Sequence, residues 1–359
     1  MHRRNASGVR HSVSLLLIAA LALAGVLPPE RVAFAQRPAE ARHPDLVTPE
    51  TEKAIERGLE YLVARQHEEG SFGSGTAYKN NVAVTSLAGL ALLADGHTPG
   101  RGKYGRESQK TVDFILSRCR PNGYIIEESS VSHGPMYGHG FATLYLAEVY
   151  GMTHRQDIRE KLKKAVELIV NTQNKEGGWR YDPKPVDADV SVTVCQLMAL
   201  RAARNRGIHV PRETVDKAAD YIKRCQNPDG GFRYQLVRTG TESAFPRSAA
   251  AVVGLHSAGI YAGREIEQGL RYLERHVPEG DPFRVETHYY YGHYYAVQAL
   301  WQAGGDAWER WYSAIRDELN RRQLPDGSWS DSLICDEYGT AMALLVLEMP
   351  NNYLPIFQR

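Results

Sequence analysis

The chain carries almost no net charge. Its 43 Lys and Arg residues balance 42 Asp and Glu, leaving a formal charge of +1, so a nucleic-acid partner is not expected. Cysteine is scarce, with Cys119, Cys195, Cys225 and Cys335 far apart in the chain. No close pair emerges from their positions in the repeats described below, so buried free thiols are expected rather than a disulfide framework. No pair among His133, His139, His288 and His293 has zinc-motif spacing. A nucleophile elbow is also missing, which leaves Ser-His-Asp hydrolysis without support. Apart from one stretch near the N-terminus, no apolar run is long enough to cross a bilayer.

That stretch belongs to an export signal. Arg3, Arg4 and Arg10 make a basic start, Val13 to Leu27 is the apolar segment, and Ala33-Phe34-Ala35 is a small-x-small cleavage site. The expected mature protein begins at Gln36 and is periplasmic or secreted. No Cys lies near the cut to accept a lipid. The expected organisation is a signal peptide at 1–35, a Pro- and charge-rich linker at 36–48, one folded domain at 49–350 and a tail at 351–359.

What the chain has in abundance is self-similarity, at a period near 50 residues. Arg57-Gly58, Tyr61-Leu62, Gln66, Gly70 and Phe72 recur in the same spacing as Lys164-Ala165, Leu168-Ile169, Gln173, Gly177 and Trp179. They recur again as Lys217-Ala218, Tyr221-Ile222, Gln226, Gly230 and Phe232. Gln323, Gly327 and Trp329 close the series. A second copy has Cys119 in place of Gln, followed by Gly123-Tyr124, and a fifth keeps only Gly280 and Phe283. Apolar residues at i, i+3 and i+4 before each Gln make a one-faced helix. Asn-Pro-Asp-Gly and Leu-Pro-Asp-Gly end it, the Gln amide bonds the turn, and the aromatic locks it. A more apolar second helix follows in each copy: 82–94, 137–150, 189–205, 245–258, 288–302 and 336–347. Six hairpins with strongly apolar inner helices at both ends, rather than polar capping repeats, predict an all-α closed (α/α)6 toroid.

Aligned on Leu92, Tyr150, Leu200, Leu255, Leu300 and Leu347, the second helices place Thr85, Thr143, Thr193, Ser248, His293 and Thr340 at one position. Hydroxyls there are expected to bond back to their own helix carbonyls. One turn earlier stand Asn81, His139, Asp189, Ala244, Tyr289 and Asp336. Each reads singly as a helix cap. In a closed ring, however, the six starts converge on one funnel with Asp187, Glu242, His288, Glu337 and His133 beside them, and clusters of ionisable groups mark sites.

The Gln-x-x-x-Gly-x-aromatic copies resemble the repeats of terpenoid cyclases and protein prenyltransferase β subunits, over nearly the whole mature chain. Asp326-Gly327-Ser328-Trp329 followed by Cys335-Asp336-Glu337-Tyr338-Gly339-Thr340-Ala341 is similar to the last repeat of squalene and oxidosqualene cyclases. Asp187-Ala188-Asp189-Val190 stands where a class II cyclase carries its Asp-x-Asp-Asp acid. The resemblance implies an apolar, isoprenoid ligand in the ring and Asp189 as the proton donor. The chain departs from the pattern in Val190, which replaces the last acidic residue, and in having one helical domain where full cyclases have two. It also lacks a prenyltransferase Asp-x-Cys zinc set and the Gly-Cys-Gly-Glu-Gln stretch of thioester proteins.

The candidate catalytic residues are therefore Asp189, Asp187, His139, Asp336 and Glu337. Asp187 and Asp336 are expected to raise the Asp189 pKa by repulsion. The candidate ligand-binding residues are Asn81, His133, Glu242, His288, His293, Tyr289 and Trp301, with Tyr290, Tyr291, Tyr294 and Tyr295 available to face a carbocation or simply to pack. Three functions stay open. The ring holds or cyclises an isoprenoid; it works on a glycan as a lyase or hydrolase; or it is a non-catalytic binding scaffold. Expected partners are an apolar small molecule or a glycan, with contact to a membrane surface also open. No metal or cofactor is implied.

Overall fold

The computed structural model describes residues 46–130, 134–153, 155–237, 241–278 and 287–358. The expected signal peptide and most of the linker, His133, and the fifth turn with Gly280 and Phe283 lie outside the described residues. The chain runs α1 (Pro49–Arg65), a one-turn α2 (Gly75–Tyr78), α3 (Val82–Ala94), α4 (Gly105–Ser117), α5 (Pro135–Thr153), α6 (Gln156–Asn171) and α7 (Val190–Asn205). It continues with α8 (Arg212–Arg224), α9 (Phe245–Ser257), α10 (Arg264–Glu274), α11 (Tyr289–Ala303), α12 (Gly305–Arg322) and α13 (Asp336–Leu347). Among the described residues the only β features are isolated bridges within turns, and no helix is long and apolar enough to cross a membrane.

Two rings form because two kinds of helix were encoded. Outer helices bury one stripe: α8 buries Val215, Ala218, Ala219 and Ile222, at i, i+3, i+4 and i+7. Inner helices bury nearly every residue, as α3 does from Leu87 to Ala94. Each inner helix packs on the next, α3 on α5, α5 on α7, α7 on α9, α9 on α11 and α11 on α13, and α13 returns to α3. The ring is closed, as the repeats predicted.

The turn residues build the circle. Gln66 Nε2 donates to Gly70 O within its own turn and to Glu107 O in the next outer helix. Gln173 does the same to Gly177 O and Thr214 O, and Gln226 to Gly230 O and Glu265 O. Gln323 donates to Gly327 O and, across the seam, to Ala54 O of α1 at 2.8 Å. Glycine is obligatory in these turns. Gly177 has φ 101°, and a Cβ there would stand 2.3 Å from Lys217 O. Trp179 and Trp329 are fully buried, and their Nε1 atoms donate to Ile169 O and Leu319 O in the last turns of α6 and α12, carbonyls that also accept from Thr172 N and Gln323 N.

The hydroxyl position behaves differently from expectation. Thr85, Thr193, Ser248 and Thr340 do not bond back along their own helices. Each accepts the backbone N–H of the turn aromatic, from Phe72, Trp179, Phe232 and Trp329, at 2.8–3.1 Å. They clamp each turn to the inner ring. Thr143 does bond back, to His139 O. The clamp in that repeat is His139, whose Nδ1 accepts from Ile125 N at 3.2 Å. The α5 alignment was therefore one turn out: Leu146, not Tyr150, matches the Leu of the other copies, and Ile125, not Tyr124, takes the aromatic place.

The far end of the ring, where the inner helices finish, is closed by the C-terminal residues. Ile356 and Phe357 are buried, Arg201 donates to Gln358 O, and Gln302 donates to Phe357 O. Residues 354–358 are thus part of the packed domain.

Candidate active site

At the opposite end, where the inner helices start, lies a cavity of about 830 Å³, within the size range of small-molecule sites. Its lining follows a simple rule in the corrected register. Two residues before each clamp position stand Ala83, Tyr137, Ser191, Pro246, Tyr291 and Tyr338, and all six line the cavity. Two positions along an α-helix rotate the side chain by about 200°. Of the residues four before the clamp, Tyr289 is thus turned off the wall and Asp189 lies behind it, while the N-caps Asn81 and Ala244, just outside their helices, still reach it. Most of the expected funnel residues are therefore off the wall.

The individual corrections follow from this phase. Tyr289 turns outward and donates to Glu318 Oε1 of α12 at 2.8 Å. Glu337 is buried against α1, accepting from Arg65 Nε at 3.2 Å and from Ser74 Oγ at 2.8 Å. Burial alone would push its pKa up, but its own amide, Ser74, Cys335 and Arg65 outweigh that and hold it down, so it is no proton donor. Asp336 accepts the amide of Asp331. His139 is wholly buried, and its Nε2 donates to Ala165 O. Burial lowers its pKa to about 4, so it stays neutral as a turn clamp. His293 packs among Phe245, Tyr289 and Trp311. Trp301 meets Trp308 near the far end of α11, and Glu242 is exposed. None of these lines the cavity. Of the expected binding residues, Asn81 and His288 do. Asn81 also caps α3, accepting from Ala83 N and Val84 N.

Asp189 lies behind the wall rather than on it. It is wholly buried, with Oδ1 accepting from Val192 N at 2.8 Å to cap α7 and Oδ2 accepting from the Tyr234 hydroxyl at 3.2 Å. Tyr234 in turn meets the Tyr181 hydroxyl at 2.5 Å, and both rings line the cavity. Burial raises the Asp189 pKa to about 7, with Val192 N–H, Tyr234 and Arg180 pulling the other way. Repulsion by Asp187 and Asp336 is not the cause. Asp187 is half exposed and paired with Arg180, whose Nε stands 3.9 Å from Asp189 Oδ2. Val190 is buried in the ring with its amide bonded to Tyr234 O. The result is a protonatable acid that communicates with the cavity through one phenol.

Sequence reasoning named Tyr291 but missed the rest of the wall: Tyr78, Tyr137, Tyr181, Tyr234 and Tyr338, with Phe141, Leu87 and Arg247. Tyr137 and Tyr338 carried a usable signal, two residues before a clamp. Tyr181 and Tyr234 also did, each two residues after the turn aromatic. Among the described residues no carboxylate and no lysine lines the cavity.

Comparison with known proteins agrees with this architecture. Residues 44–209 and 217–353 match the family described as prenyltransferase alpha-alpha toroid domain, and residues 142–283 match the squalene-hopene cyclase C-terminal domain. A drimenyl diphosphate synthase of Streptantibioticus cattleyicolor is 25% identical over 298 residues, covering 77% of this chain and 52% of that protein. One of Streptomyces showdoensis is 27% identical over 213 residues, 58% of this chain and 36% of that protein. The chain thus spans about a third to a half of the length of the curated relatives it matches. Among solved structures, the type II terpene cyclase MstE from Scytonema superposes with a TM-score of 0.59 at 14% identity, covering 86% of this chain and all of that one. The α-1,6-mannanase GH76A of Salegentibacter sp. HEL1_6, solved as an inactive variant with α-1,6-mannotriose, gives 0.62 at 11% identity over 83% and 98%. Likeness at these identities shows a common fold. With both halves of the ring matched and closed on each other, the chain belongs to the prenyltransferase alpha-alpha toroid domain family.

Proposed function

We propose that the chain binds an isoprenoid-type apolar ligand in the cavity and isomerises it by proton transfer that starts at Asp189. The observation that carries this reading is the Asp189–Tyr234 contact behind a wall of tyrosine and aliphatic side chains. A carboxyl group with a pKa near 7 holds a proton in part at neutral pH. When Asp189 is protonated the bond to Tyr234 reverses, and the carboxyl passes its proton to the Tyr234 oxygen as the phenol proton moves to an alkene carbon. The π electrons of a second alkene form a ring C–C bond to the cationic centre left behind, a neighbouring carbon then gives up a proton to water, and Asp189 regains one from water, so the net change is isomerisation. Tyr137, Tyr291 and Tyr338 offer ring faces to the transient cation. Glycan hydrolysis is supported less, because it requires two carboxylates flanking the bond and the described wall supplies none.

The test is incubation of the chain with squalene and shorter polyprenyl substrates, beside Asp189→Asn and Tyr234→Phe. Cyclic product from the parent and none from Asp189→Asn is expected. Product that survives Asp189→Asn would overturn the assignment. We also propose export with cleavage after Ala35, motivated by the basic, apolar and Ala-Phe-Ala order of segments. Mass spectrometry of the exported protein should find Gln36 first; an intact Met1 in a membrane fraction would show an anchor.

A further inference from the structure

One wall residue does not fit a purely apolar ligand. Arg247 lines the cavity and is the only side chain of fixed charge among the described residues that does so. Its guanidinium lies 5.6 Å from the centre of the Tyr234 ring, and among the described residues no carboxylate pairs with it. The neighbouring groups are occupied or remote. Arg180, on the same ring at 5.9 Å, is held by Asp187. Asp189 is behind Tyr234. Glu242 is exposed and off the wall. On the opposite side, Asp331 accepts from the amides of Leu333 and Ile334, and Asp336 accepts from Asp331 N.

Beyond its contact with the Tyr234 ring, Arg247 makes no hydrogen bond or ion pair with the described residues. It sits in the first turn of α9, where the helix dipole disfavours a cation. The first-turn amides of α9 receive no side-chain cap, since Ala244 is the N-cap. A guanidinium half-withdrawn from water without a counter-ion is costly. Its planar fork fits two oxygens of one anion.

We infer that Arg247 binds an anionic head group, a carboxylate or a phosphate ester, on the apolar ligand. This rests on the isoprenoid reading above and narrows it: the ligand is amphiphilic rather than a plain hydrocarbon such as squalene. The head is held on the wall that carries Tyr234, so a distant alkene reaches the phenol only when the chain folds back on itself within the cavity.

The experiment measures binding of farnesol, farnesoic acid and farnesyl diphosphate to the full chain, to Arg247→Ala and to Arg247→Lys. These probes share one chain and differ only in the head. The parent should bind one or both anions about ten- to a hundredfold more tightly than the alcohol, the gain for a hydrogen bond to a charged group. Arg247→Ala should lose that preference while keeping its affinity for farnesol and its melting temperature. Arg247→Lys should keep part of it, and added salt should shrink it. Whichever anion shows the larger gap identifies the head. Equal binding of alcohol and anions by the parent, or a preference that survives Arg247→Ala, overturns the inference and leaves the isoprenoid reading standing. If none of the three binds, the isoprenoid reading fails and this inference falls with it.

Discussion

Asp189 makes a prediction that needs no substrate. Its pKa rises from 3.8 in an unfolded chain to about 7 in the folded protein, chiefly through burial. Between those values the folded state holds more protons than the unfolded state, so stability falls as pH rises. From pH 5 to pH 8 about two pH units of that gap remain, which at about 1.4 kcal/mol each sets a ceiling of about 3 kcal/mol. Relaxation and water entry around the new charge reduce the measured loss. Asp189→Asn removes the titration and keeps an oxygen to accept from Val192 N, so the α7 cap survives. Glu148 is also raised to about 7 by burial, against Arg206, but it is present in both proteins and cancels in the difference. Urea unfolding of parent and variant at pH 5 and pH 8 is the assay. The variant should gain on the parent by about 1–3 kcal/mol at the higher pH. Parallel pH profiles would show that Asp189 ionises freely in the fold, and the case for a poised acid would fail with it.

The turn and the seam supply the remaining predictions. Trp179→Ala should cost about 3–5 kcal/mol, because a fully buried indole and its bond to Ile169 O are lost together. Gly177→Ala, Gly177→Asn and Gly177→Val should all be severely destabilising in thermal melts. Tolerance of Asn for positive φ gives no shelter when any Cβ meets Lys217 O at 2.3 Å. Gln323→Ala should cost about 1–3 kcal/mol, as Gln173→Ala should, since each Gln serves two carbonyls. A loss at Gln173 with none at Gln323 would mean that the seam between first and last repeats is not closed in solution.

The circular fold was legible from the amino-acid order because each turn residue answers a local demand. Gln reaches two carbonyls, Gly fits where no Cβ can, and the aromatic returns its N–H to the inner helix. Those requirements repeat with the chain, so they can be counted in the chain. As the cap of α7, Asp189 was legible for a similar reason, standing at a helix start beside a repeat turn. The cavity wall was not, because the face an inner helix shows depends on its phase within the ring. In α5 an extra turn of apolar sequence made Tyr150 as good an anchor as Leu146, which put His139 in the wrong place and hid Tyr137. At the other helix starts, Asp336, Glu337 and Tyr289 read as funnel residues because polarity suggests a mouth. Packing against α1 and α12 turned Glu337 and Tyr289 to the outer ring instead. The charge of Arg247 was visible in the sequence, but its lack of a carboxylate partner among the described residues was not: pairing is decided by which side chains the closed ring brings within a few ångströms, and that distance exists only in the tertiary structure.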